Sequence, residues 1–171
     1  MNWNEIKKLP VSCYEVSVDA YDIQALLERY LEKHNLNLSP WFQRGHVWTE
    51  EQQVAYIEHL LSGSNSATMI QFNKPGWMGR YHISGEMTIV DGLQRLTAVR
   101  KFIADGLVVY GQKCSEFGDL QRCPITLKFN ICNVETEKEL VEWYLKLNSG
   151  GTIHTKEELE RVRSGLNDKQ N

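Results

Sequence analysis

Thr88-Ile89-Val90-Asp91-Gly92-Leu93-Gln94-Arg95-Leu96-Thr97 decides the fold class, because it reads as an apolar strand passing through a glycine turn straight into a helix. Helical spacing runs from Leu93 to about Asp105, and Gly106 closes it. Such a junction suits an anion. The first backbone N–H groups of the helix lack intrahelical partners and the positive end of the helix dipole lies beside them. Gly92 allows close backbone approach, and Arg95 can add a forked, charge-assisted pair of bonds to phosphate. Asp91 has two roles open to it: N-cap, with Gln94 at N3 of an ordinary helix start, or contact with a bound ligand. Arg95 shares the i, i+4, i+7 face of Val99 and Phe102, so its guanidinium must meet a carboxylate, carbonyls or a ligand anion.

Outward from this segment, the pattern alternates strands and helices. Residues 9–18 suggest a first strand, and Ile23, Leu26, Leu27, Tyr30 and Leu31 form the stripe of an amphipathic helix ending near His34. Thr49 and Gln52 have the form of a capping box before a helix that Gly63 stops. Strands are expected at residues 67–72, and at 80–83 and 87–90 as a hairpin around Ser84-Gly85-Glu86. Further strands are expected at 107–110 and 125–132, where Ile125, Leu127, Phe129 and Ile131 alternate. Thr136 with Glu139 and Thr155 with Glu158 repeat the capping pattern before two more helices. This order predicts one α+β domain, a small mixed sheet surrounded by helices, over residues 1–165, with a polar tail at 166–171.

The 171 residues carry 19 Lys+Arg and 22 Asp+Glu, a net charge of −3, and 42% are hydrophobic. That composition fits one folded domain and excludes intrinsic disorder. Its slightly acidic balance argues against a mainly electrostatic DNA binder, while leaving room for a local basic cleft. No apolar run approaches the roughly 18 residues of a membrane span, and the first ten residues lack the greasy stretch of a signal peptide, so a cytoplasmic protein without membrane contact is expected. Cys13, Cys114, Cys123 and Cys132 include no Cys-x-x-Cys pair, so buried free thiols are expected rather than zinc or redox chemistry.

Two further segments carry candidate chemistry. In Pro40-Trp41-Phe42-Gln43-Arg44-Gly45-His46-Val47-Trp48-Thr49, Phe42, Val47 and Trp48 would anchor a loop that presents Gln43 and Arg44. A packed tryptophan loop with a cation–π arginine is the plainer alternative, and His46 is either a general base or a solvated side chain. Asn148-Ser149-Gly150-Gly151-Thr152 either wraps an anion or turns a corner after a helix, and it matches neither a Walker loop nor a dinucleotide fingerprint.

Taken in order, Phe42-Gln43-Arg44 with Val47-Trp48, then Val90-Asp91-Gly92-Leu93-Gln94-Arg95-Leu96-Thr97, then Leu147-Asn148-Ser149-Gly150-Gly151-Thr152 with Glu157 and Glu158, the sequence resembles the N-terminal domain family of GmrSD-type restriction endonucleases over residues 15–160. The resemblance implies a ParB/sulfiredoxin-like fold and binding of a nucleoside triphosphate (NTP) with Mg²⁺. It implies a role as NTPase or nucleotide sensor in bacterial or phage DNA restriction or anti-restriction. Carried over by position, Asp91, Gln94 and Arg95 would be catalytic and Asp91 the metal ligand. Gln43, Arg44, Gly92, Arg95 and Asn148 would hold phosphates. Leu93 stands where the family has a glutamine, and the chain ends before the HNH-like nuclease domain that members commonly carry. Expected partners are therefore nucleotide, DNA, or a separate nuclease subunit or host defence protein. A non-catalytic DNA- or protein-binding module and a DNA-nicking phosphodiesterase are the alternatives.

Overall fold

The computed structural model describes residues 13–43, 45, 47–77, 85–148, 157, 160–162 and 164–165. Strand β1 (Cys13–Asp19) leads into helix α1 (Ala20–His34), followed by α2 (Glu50–Leu61), β2 (Met69–Asn73), β3 (Thr88–Asp91), α3 (Leu93–Ile103), β4 (Thr126–Cys132) and α4 (Glu137–Asn148). The strands form one mixed sheet in the order β1-β4-β2-β3. β1 is antiparallel to β4, β4 parallel to β2, and β2 antiparallel to β3. This is the expected α+β class.

Alternation along β3 explains the layering. Ile89 joins a large core built from α1, α2 and α3 on the sheet, while its neighbour Val90 joins a second cluster with Phe42, Leu140, Val141 and Tyr144. Successive side chains on a strand point to opposite faces, so β3 is sandwiched between the two clusters and its first three residues are buried. Its outer edge is not bare: Asn37 N–H donates to Met87 O and Ile89 N–H to Asn37 O, at 2.7 and 3.0 Å. One residue of the α1–α2 connection thus covers the edge of the sheet.

The predicted helix starts and stops are mostly present. Thr49 and Gln52 form a reciprocal capping box on α2, and Asn35, in the left-handed conformation, ends α1. Thr136 Oγ1 accepts from Glu139 N–H at 3.2 Å before α4. The expected strand at 107–110 is instead a tight turn with the single bridge Val109↔Gln112, since Tyr110 and Gly111 both have positive φ. Residues 80–83 of the expected hairpin and the cap at Thr155 lie outside the described residues, and β3 pairs with β2.

The cysteine expectation needs correction. Cys13 and Cys132 are joined by a disulfide across β1 and β4, while Cys114 and Cys123 are free thiols. The two partners are 119 residues apart and become neighbours only through strand register, which places them directly opposite. Among the described residues, no helix is long and apolar enough to cross a membrane.

Candidate functional site

The β3–α3 junction is built by Gly92. Its φ of 93° and ψ of 11° place it in the left-handed region as the N-cap of α3, with no side-chain cap. A Cβ there would lie 2.8 Å from Ile70 Cδ1 and 3.2 Å from Ile70 Cα, so the turn also needs glycine for space. The first intrahelical bond runs from Leu96 N–H to Gly92 O, leaving the preceding amides for other acceptors.

Asp91 is not the N-cap. It remains extended as the last residue of β3, opposite Gln71 at a register shift in β2, and its Oδ2 accepts from Arg95 Nη2 at 2.6 Å. The strand holds the carboxylate one residue too early to cap, and one helical turn brings Arg95 to it. That pairing leaves Arg95 partly engaged. Its Nε is buried without a partner among the described residues, and its side chain remains 22% exposed. Tyr56 packs nearby: burial pushes its hydroxyl up to about 12, opposed by the Arg95 charge, and the hydroxyl donates to Ala67 O.

Gln94 also departs from the helix-start role. Its side chain turns away from the helix backbone to the 45–48 segment, donating to Gly45 O at 3.0 Å and accepting from Val47 N–H at 2.9 Å and Trp48 N–H at 3.2 Å. Gln43 Nε2 donates to Ile89 O at 3.3 Å, and Asn148 Nδ2 donates to Tyr144 O at 2.8 Å. Each amide keeps further hydrogen-bonding capacity.

These segments meet. A cleft of about 130 Å³ is lined by Gln43, Trp48, the run from Val90 to Arg95, Tyr144 and Asn148. Gln43, Asp91, Gly92, Gln94, Arg95 and Asn148 are thus brought together from three remote parts of the chain. Arg44 and His46 lie outside the described residues. Tyr144 escaped sequence reasoning; the Trp143-Tyr144 pair on an amphipathic helix signals burial but not what it faces. No group of three or more His, Cys, Asp or Glu that could hold a metal occurs among the described residues.

An α+β domain with a cleft at a strand-to-helix turn, floored by a glycine and walled by an arginine, is the class these features define. A family model described as GmrSD restriction endonuclease, N-terminal domain, matches residues 26–131, and the chain belongs to that family. The match takes in the Gln43 and Asp91–Arg95 segments and stops before Asn148. No curated protein and no solved structure matches the chain.

Proposed function

We propose that this chain is a nucleotide-binding domain of a DNA restriction or anti-restriction system, holding the phosphates of an NTP with Mg²⁺ at the start of α3, as a weak NTPase or as a nucleotide sensor. The observation that carries the proposal is the convergence on one cleft of the α3 first turn, the left-handed Gly92 and an Arg95 guanidinium whose buried Nε has no partner among the described residues. Backbone amides and guanidinium both recognise phosphate oxygens. The family membership supplies the restriction context, and a ParB/sulfiredoxin-like kinship of the fold belongs to the same proposal.

The roles follow from chemistry. Arg95 neutralises phosphate charge, a role the resemblance also gives Arg44; Gln43 and Asn148 supply amide contacts. Asp91 has one oxygen on Arg95, and the other suits a partly hydrated Mg²⁺ that arrives on the phosphates, which needs only one or two carboxylates from protein. Such an ion would withdraw charge from the phosphoryl group. A cleft of about 130 Å³ takes phosphates but is smaller than the roughly 300–1,000 Å³ that encloses a drug-sized ligand, so the base lies outside it. The same small volume favours, as a second reading, a non-catalytic module that grips a DNA phosphate.

Thermal unfolding with each NTP and Mg²⁺ tests the proposal. Ligand at a hundred times its dissociation constant stabilises the fold by about 2.7 kcal/mol. Wild type is expected to gain that with at least one NTP and Arg95→Ala to gain none while remaining folded. Absence of any shift in the wild type contradicts nucleotide binding; salt-sensitive DNA binding without an NTP effect selects the second reading.

A further inference from the structure

Gln94 connects the candidate phosphate site to Gly45, Val47 and Trp48 in the connection before α2. The 43–48 segment is anchored at both ends: Gln43 Nε2 reaches Ile89 O, and the Trp48 ring packs edge-on against Tyr56 with centroids 5.4 Å apart. Between those anchors, Gly45 and Val47 are the described residues. Val47 is 50% exposed, and a Cβ built on Gly45 would meet nothing within 4 Å. The hydrogen bonds of Gly45 and Val47 to the rest of the described residues are those to the Gln94 side chain.

We infer that Gln94 is a positioning residue, a latch whose side-chain amide seats the 45–48 loop against the first turn of α3 and so completes the wall of the cleft. Two N–H donors at one end and a carbonyl at the other fix which end of the amide is oxygen. Neither Oε1 lone pair is then left for a ligand. The backbone N–H of Gln94 belongs to the α3 first turn where the phosphate reading puts the anion, while its side chain holds Gly45, Val47 and Trp48. Anchoring of phosphate and seating of the loop therefore share one residue. This assignment rests on the phosphate reading above only for its second half; the latch itself needs no ligand.

Hydrogen exchange on the full chain separates the two. Without ligand, Gln94→Ala is expected to speed exchange of the Val47 and Trp48 amides by about tenfold or more, with the Phe102 amide in α3 unchanged. Gln94→Glu retains both acceptor contacts but sets a carboxylate oxygen against Gly45 O, so the two amides are expected to exchange faster than in the wild type and more slowly than in Gln94→Ala. Mg²⁺ with inorganic triphosphate should slow Val47 and Trp48 exchange further in the wild type but not in Gln94→Ala, whose triphosphate affinity should fall about tenfold. Unchanged exchange in Gln94→Ala overturns the latch. Faster exchange with unaltered triphosphate affinity overturns the positioning role. A wild type that binds no triphosphate, while Gln94→Ala still frees the loop, supports the latch and overturns the phosphate reading.

Discussion

Gly92 and His34 show how single residues set the limits of this molecule. At Gly92, a side chain faces both a positive φ and the backbone of Ile70. Gly92→Ala is therefore expected to destabilise the fold by about 1–3 kcal/mol, seen as a lower urea midpoint. An unchanged midpoint contradicts the described turn. His34 sits at the end of α1 with its ring edge-on to Tyr30 and Trp77, and its buried Nδ1 has no partner among the described residues. Burial lowers its pKa, and the nearby Lys74 and Arg29 charges add to the effect. The unfolded chain then takes the proton first as pH falls. Stability is full above the ordinary histidine value of about 6.5 and declines as pH drops through the folded value. His34→Phe keeps a ring and removes the titration, so its loss of stability between about pH 8 and about pH 5 should be smaller than that of the wild type. Equal losses in the two proteins refute that assignment.

Among the elements, β2 lies inside the sheet, between β4 and β3. Asn73, 1% exposed, closes its end by donating to Val134 O at 3.0 Å and accepting from Val134 N–H at 2.7 Å. Asn73→Ala strands both buried backbone groups, with an expected loss of about 2–4 kcal/mol in chemical unfolding; a loss under about 0.5 kcal/mol contradicts the role. Elements governed by local pattern were legible in sequence. The Thr49–Gln52 box and the Ile23-to-Tyr30 stripe mark α2 and α1, and the Val90-Asp91-Gly92 step marks the entry to α3. What depended on distant partners was not. Asp91 and Gln94 fit a local cap equally well on paper, and only tertiary structure sends one to Arg95 and the other to the 45–48 loop. Val108 to Tyr110 has strand-like residues but pairs with no strand among the described residues.

Over the whole molecule, the covalent and the functional connections both join segments far apart in sequence. The Cys13–Cys132 disulfide spans 119 residues and ties the first described strand to β4. Closing so long a loop restricts the unfolded chain, so reduction, or Cys13→Ser, should lower stability by about 2–4 kcal/mol. Identical unfolding curves with and without reductant would show that the crosslink contributes nothing. The cleft likewise draws on the 43–48 loop, the β3–α3 turn and the end of α4, and the central claim is that they enclose phosphate. An NMR titration with Mg²⁺ and inorganic triphosphate tests it most directly. The backbone amides of residues 92–95 and the Arg95 side-chain Nε–H are predicted to shift together and saturably. If those resonances stay fixed while the anion binds elsewhere or not at all, the account is contradicted.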